Sequence, residues 1–305
     1  MSVGHAVSSS HGRSTLLIWT ALSAVYLIWG STYLAIRFTV ETTPPFLSAA
    51  ARFLVSGVAL YIWRRLSADP TPTRHEWRSA TVIGILLLVG GNGAVVWAAR
   101  YIPSSLAALL VATCPLWLLL FDFLRPNGEK PGPRALSGIV IGFCGAVLLI
   151  GWSANSTTPN SFAGSVVVVL GSIFWAAGSI YGKTAKLPSS PLLITGMEML
   201  SGGAVLLVIA FATGELEFFA PNQVSLRSSL GWLYLTIVGP VAFVAYAWLL
   251  RNAPIPLVAT YSYVNPLVAI LLGYFLGKEI LALRVLLAAG LIIGSVVLVS
   301  ARRTP

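Results

Sequence analysis

Aromatic side chains and small polar groups recur at helical spacing in this chain, and that combination suits binding rather than bond-breaking. Tyr26, Trp29 and Tyr33 fall on one face of a helix, and Ser172, Trp175 and Ser179 repeat the spacing at an offset of 146. A broad ring holds varied small solutes by burial, while a hydroxyl or amide beside it orients them by a hydrogen bond. Tyr246, together with Tyr261, Tyr263 and Asn265 around Pro266, adds polar groups inside apolar stretches. Asn92 stands among Gly90, Gly91 and Gly93, where missing side chains let backbone or ligand approach closely. The candidate cavity residues are thus Trp29, Tyr33, Asn92, Ser172, Trp175, Ser179, Tyr246, Tyr261, Tyr263 and Asn265. The competing reading for each aromatic is lipid contact, interfacial anchoring or packing, and Trp97 and Tyr101 fit an interfacial belt.

Two ionisable residues, Arg52 and Glu198, also 146 apart, sit inside apolar runs, where charge is costly and therefore a functional candidate. Both have a structural alternative with separate local partners, and Glu198 is the candidate for proton coupling. No catalytic residue, metal site or cofactor is expected. The histidines, His5, His11 and His75, lie in the tail or a loop, and no H-E-x-x-H or phosphate-binding loop is written. No Ser-His or Asp pair is placed for nucleophilic or acid-base work. Cys114 and Cys144 lie in apolar text and read as small core residues.

The elements that must position these groups follow from composition. Of 305 residues, 57% are hydrophobic and 9% charged, and the mean hydropathy is +0.86. A soluble domain carries roughly 25% charged residues, so this is a membrane protein. Ten apolar runs approach the ~20 residues a helix needs to cross a bilayer. They cover about 14–36, 46–63, 79–99, 104–124, 135–152, 162–182, 191–212, 229–250, 256–276 and 281–300. The first is too long for a signal-peptide core and lacks a small-residue cleavage site, so it is kept as a span. The fold class is an all-α polytopic membrane protein.

The net charge of +10 is explained by topology, and no basic module for nucleic acid appears. Placing both termini and the loops after runs 2, 4, 6 and 8 on one side leaves only Arg37, Arg100, Arg227, Lys278 and Arg284 on the other. With Arg52 inside run 2, that is thirteen basic residues against five of the nineteen. The positive-inside rule therefore predicts cytoplasmic termini.

The text also repeats. Arg100, Pro103 and Pro115 match Arg251, Pro254 and Pro266 at an offset of 151, and Trp29–Arg37 faces Trp175–Lys183 at 146. One duplication of five spans, 14–152 and 162–301 joined by a linker at 153–161, explains several such echoes. Five is odd, so the second copy enters the membrane from the opposite side, giving an inverted repeat of the kind that supports alternating access. Pro115 and Pro266 fall about 15–17 Å along their helices and should bend them at mid-depth, freeing the carbonyls of Val111 and Ser262. "GIVIG" (138–142) and "GLIIG" (290–294) predict that runs 5 and 10 pack together or against a second copy, a homodimer.

The segments "IWGSTYLAIR", "VGGNG", "VATCP", "GMEMLSGG", "LLRN" and "ATYSYVNPLVAILLG", in this order, resemble the EamA branch of the drug/metabolite transporter superfamily, most closely its YedA-type members. The likeness spans nearly the whole chain. It implies ten helices in two five-helix repeats in the cell inner membrane, and transport, usually export, of small metabolites such as amino acids or drug-like solutes without ATP hydrolysis. One departure is that similar proteins carry a Glu-His pair before the proline where this chain reads "AARYIP", so a proton-handling role for that pair does not carry over. The expected partners are a small-molecule substrate, the lipid bilayer and, where transport is coupled, a proton or other ion. A channel, a non-transporting sensor and, least favoured, an intramembrane enzyme are the alternatives.

Overall fold

In hydrocarbon no water is available for backbone N–H and C=O groups, so an apolar run closes its hydrogen bonds within itself as a helix. A computed structural model of the chain describes residues 6–67, 69–124, 132–154, 158–258, 260–280 and 282–300. The side chains at 6–14, 122, 135, 152–154, 255, 256, 263, 284, 296, 299 and 300 lie outside the described residues.

Each of the ten apolar runs falls on helix. In chain order they are α1 (Ala6–Thr39), α2 (Pro45–Leu66), α3 (Arg74–Ala98), α4 (Ser104–Val111 continued by Cys114–Leu124) and α5 (Pro133–Ala154). Then come α6 (Ser161–Thr184), α7 (Pro191–Ala212), α8 (Leu226–Ile237 continued by Gly239–Asn252), α9 (Tyr261–Phe275) and α10 (Leu283–Ser300). Seven carry apolar stretches of 18 to 27 residues, long enough to span a bilayer. The other three, in α5, α9 and α10, carry the shorter apolar segments Leu136–Gly151, Val264–Phe275 and Val285–Ser295.

Helix starts differ from the hydropathy boundaries where polar caps decide them. Run 3 was expected from 79, yet α3 begins at Arg74. The Thr73 hydroxyl accepts from Glu76 N at 3.3 Å and the Glu76 carboxylate accepts from Thr73 N at 2.7 Å, a capping box. Acidic residues do the same at the helix that follows the other half's turn. Glu215, after α7, accepts from Leu47 N of α2 at 2.8 Å. Asp69, after α2, takes the Ser190 hydroxyl at the start of α7 and Arg64 Nε at 2.8 Å, and the Arg64 bond holds its carboxyl below the usual carboxylate range.

The packing is reciprocal. α2 lies along α7 and α5 along α10; α1 packs on α8 and α9, while α6 packs on α3 and α4. Without a hydrophobic driving force between helices, such contacts need small residues that let backbones close in. A Cβ on Gly84 would lie 2.5 Å from the Glu198 carbonyl oxygen, and one on Gly202 would lie 2.9 Å from that of Gly84. Gly57 and Gly196 play the same part between α2 and α7, with Leu200 N at 2.9 Å and Tyr61 N at 3.0 Å. The expected contact of α5 with α10 forms within the chain, through Gly142 against Ser295 and Gly145 against Ile292. Gly290 and Gly294 face open space, so the second small-residue motif takes no part in it.

Overpacking such a crossing costs about 1–3 kcal/mol. Gly84→Val is expected to lower the thermal midpoint of the detergent-purified protein by several degrees, whereas Gly294→Val leaves it unchanged. Equal midpoints for the two variants, read by intrinsic fluorescence on heating, would contradict this account of the α3–α7 contact.

Candidate functional site

Five rings from α1, α6, α8 and α9 meet at the centre of the bundle. Trp29 is the hub, with ring centroids 5.2 Å from Trp175, 5.5 Å from Phe243, 4.9 Å from Tyr246 and 5.4 Å from Tyr261. Tyr246 and Tyr261 are 5.8 Å apart, and most pairs are edge-to-face, the arrangement ring quadrupoles favour. Trp29 sits here because Gly30, one residue on, lets α1 close against α9, where a Cβ would meet Val268 Cβ at 2.6 Å.

On one side of this layer is a cavity of about 60 Å³, enough for a few water molecules. Trp29, Tyr33, Asn92, Ser172, Trp175 and Tyr261, six of the predicted residues, line it together with Phe243 and Arg52. The wall from α3 depends on backbone geometry. Residues Ile85–Asn92 are wound as a π-helix, and Gly91 lies so close to α6 that a Cβ would meet the Trp175 ring at 2.8 Å. Such windings break the regular ladder and are common at functional sites. Here the winding ends at Asn92, whose Oδ1 accepts a hydrogen bond from Arg52 Nη2. Arg52 is 4% exposed, and its guanidinium also lies 4.3 Å from the centroid of Phe53. Among the described residues it makes no ion pair and no other hydrogen bond, and no acidic residue lines the cavity.

On the other side of the aromatic layer lies a larger cavity of about 530 Å³ that reaches the connections α6–α7 and α8–α9. Ser179, Tyr246 and Glu198 line it, with Lys183 and Arg251 towards its mouth and Phe243 shared with the first cavity. The Ser179 and Tyr246 hydroxyls are hydrogen-bonded at 2.9 Å, tying α6 to α8. Arg52 and Glu198 thus face different cavities, as their different depths in the sequence require.

Several predicted residues are placed otherwise. Asn265 does not line either cavity; it is 3% exposed and its amide nitrogen donates to the Tyr261 and Tyr26 carbonyls at 3.1 Å, fastening α9 to α1. The side chain of Tyr263 lies outside the described residues. In α4 the helix is broken at Ala112–Thr113, just before Pro115, and the Thr113 hydroxyl donates to Leu110 O at 2.7 Å. In α9 helix runs through Pro266 from Tyr261 to Phe275, and the interruption falls earlier, after Val258. There the Tyr26 hydroxyl bonds that of Thr260.

Sequence reasoning missed Phe243, although the offset of 146 that links Trp29 to Trp175 also links Trp97 to Phe243. It also missed Glu279, which is 8% exposed and closes the end of the bundle beyond the small cavity. Its carboxylate accepts from Ser104 N and Oγ at 2.7 Å, and from Ser105 N at 3.1 Å and Oγ at 2.7 Å. Arg37 Nε lies 3.8 Å from it and Arg37 Nη1 donates to Ile102 O at 2.8 Å. A single acidic residue in a loop carried no sequence signal for this role.

Apolar helices around a central, aromatic-walled cavity define a polytopic membrane protein whose interior is shaped to enclose something small. The model of the EamA-like transporter family matches residues 15–151 and again 162–301, and the chain belongs to that family. It is 40% identical over 290 residues to the uncharacterized inner membrane transporter YedA of Escherichia coli, covering 94% of this chain and 92% of that protein. It is 28% identical to protein PecM of Dickeya dadantii, over 90% and 92% of the two chains. An uncharacterized transporter of Archaeoglobus fulgidus is 26% identical, over 85% and 88%. A solved crystal structure shares the fold, with a TM-score of 0.64 at 23% identity and coverage of 96% of this chain and 99% of that one. The protein is accordingly a multi-pass inner-membrane transporter of the EamA family.

Removing the acceptor from a buried charge costs the desolvation of that charge, about 2 kcal/mol. Asn92→Leu is therefore expected to destabilise the purified protein, and Arg52→Met combined with Asn92→Leu to recover most of the loss. Thermal melts of the two single variants and the double variant test this; additive losses would mean that the two residues are not coupled.

Proposed function

We propose that the chain is a secondary transporter that exports small metabolites by alternating access between two inverted five-helix repeats, 14–152 and 162–301. The observation that carries this reading is the aromatic layer around Trp29, which separates two cavities reaching towards opposite ends of the bundle. Reciprocal helix packing supports it, because exchanging the conformations of two related halves would open one cavity as it closes the other. The loop charges assign the termini, and with them the mouth of the larger cavity, to the cytoplasm. The arrangement is then inward-facing, with the outer end sealed by Glu279 on the α4 N-terminus.

Glu198 is the proposed proton carrier. It is 8% exposed, lines the inward cavity and sits on the α7 turn that Gly84 of α3 touches, so a change in its charge bears on the helix crossing. The family is one of transporters, and the relatives in Escherichia coli and Archaeoglobus fulgidus are named as such, which supports a non-enzymatic role.

Reconstitution into liposomes with a panel of amino acids and hydrophobic cations, with and without a pH gradient, tests the proposal. At least one solute is expected to move, and to exchange against itself from the far side, as a carrier does and a channel does not. Trp29→Ala should slow that flux by about tenfold or more, since a misplaced wall costs productive geometry. Glu198→Gln should retain exchange but lose its response to the pH gradient. No movement of any solute would overturn the transport reading, and wild-type pH dependence in Glu198→Gln would remove Glu198 from the coupling step.

A further inference from the structure

Among the described residues, the central cavity contains a cation without an anion. Arg52 is buried within the membrane-spanning part of α2, and a guanidinium offers five N–H donors in a planar fork. Asn92 accepts from one of them, and no other acceptor is recorded among the described residues. The Phe53 ring covers a face of the guanidinium but accepts none of its in-plane hydrogens. Glu198, the other ionisable group predicted within the membrane, lines the opposite cavity. A charge kept this dry without a counter-ion is expensive, and a bound anion would remove the cost.

The rest of the wall sets what that anion carries. Beyond Arg52 and Asn92 the lining is mainly ring and aliphatic surface, Trp29, Trp175, Phe243 and Val95 among it. Such a wall stabilises an apolar body and gives little to a second charged group. One guanidinium matches one planar carboxylate with two parallel hydrogen bonds. A dianion such as phosphate would carry an uncompensated charge into the same low-dielectric space. The volume of about 60 Å³ limits the body to a compact one.

We propose that the cavity is a binding site for a small monocarboxylate with a compact apolar body, its carboxylate held by Arg52, oriented by Asn92, and its body held between Trp29, Trp175 and Phe243. The site explains why an arginine stands at the cavity wall and why Asn92 is delivered to it by the π-wound end of α3. It deepens the transporter reading and rests on it for the direction in which the bound acid moves, but binding itself is separable from movement.

The test uses calorimetric titration of the full-length protein in detergent at neutral pH, with empty micelles subtracted. Acetate and its neutral isostere acetamide are the probes, and inorganic phosphate is the competitor. Acetate is expected to bind about 10- to 100-fold more tightly than acetamide, the range that charge-assisted hydrogen bonds supply. Phosphate should not displace it. Arg52→Gln should reduce acetate affinity by about tenfold or more without changing acetamide, and Arg52→Lys should fall between, because an ammonium lacks the fork.

Equal binding of acetate and acetamide, displacement by phosphate, unchanged acetate affinity in Arg52→Gln, or no acetate binding at millimolar concentration would each overturn the proposal. The acetate–acetamide contrast is read on the wild-type protein, so it holds even if a variant fails to fold. Liposome flux separates the two claims. Acetate binding with no flux of any solute leaves the site standing and removes transport; flux confined to neutral or cationic solutes leaves transport standing and removes the site.

Discussion

Every backbone polar group inside the bilayer must find its partner within the protein, and the rest of this structure is arranged around the few places where regular helix fails to supply one. The break in α4 at Ala112–Thr113, the π-wound stretch of α3 and the interruption before α9 all lie beside the central aromatic cluster or its cavity. Polar side chains lie at the two breaks. The Thr113 hydroxyl reaches Leu110 O, that of Thr260 meets Tyr26, and the Asn265 amide reaches carbonyls of both α9 and α1. Irregular backbone is tolerated in the interior because protein surrounds it, and the same irregularity creates the space that a straight bundle would fill.

Glycine contacts make that interior possible. Where Gly30, Gly84, Gly91 and Gly202 lie against neighbouring helices, backbones approach within distances that a methyl group would forbid. Close approach brings Asn92 to Arg52 and Trp175 to Trp29, so helix packing and cavity chemistry are the same set of contacts. The aromatic layer is held by ring contacts and by the Ser179–Tyr246 bond, whereas the end of the bundle beyond the small cavity is held by a carboxylate taking four hydrogen bonds.

Much of this was legible in the sequence, and the reasons differ from residue to residue. Trp29 and Trp175 could be paired because an offset of 146 survives in the text, and Asn92 stood out against its glycines. Arg52 and Glu198 were visible because charge in an apolar run is rare. Phe243 was not chosen, since one more aromatic in a membrane helix is unremarkable without knowing which way it points. Asn265 reads as a cavity group from its position beside Pro266, but its amide reaches the Tyr261 and Tyr26 carbonyls, a partnership that depends on how α9 lies against α1. The bend expected at Pro266 belongs to a continuous helix from Tyr261 to Phe275, with a turn at Thr260 ahead of it. Glu279 drew no attention because its four donors come from residues more than a hundred positions away.

Composition and hydrophobic run length alone determined that this chain is a membrane-embedded bundle of helices, because transfer of apolar surface and the closing of backbone hydrogen bonds depend on local text. The echo of one half in the other was equally local, a matter of matching letters. Only tertiary structure decided which aromatic rings share a cavity, that Arg52 meets Asn92 and, among the described residues, no carboxylate, and that Glu198 faces the opposite chamber. Those outcomes depend on how α3 is wound and how closely glycines let helices cross, distances set by packing between segments far apart in the chain.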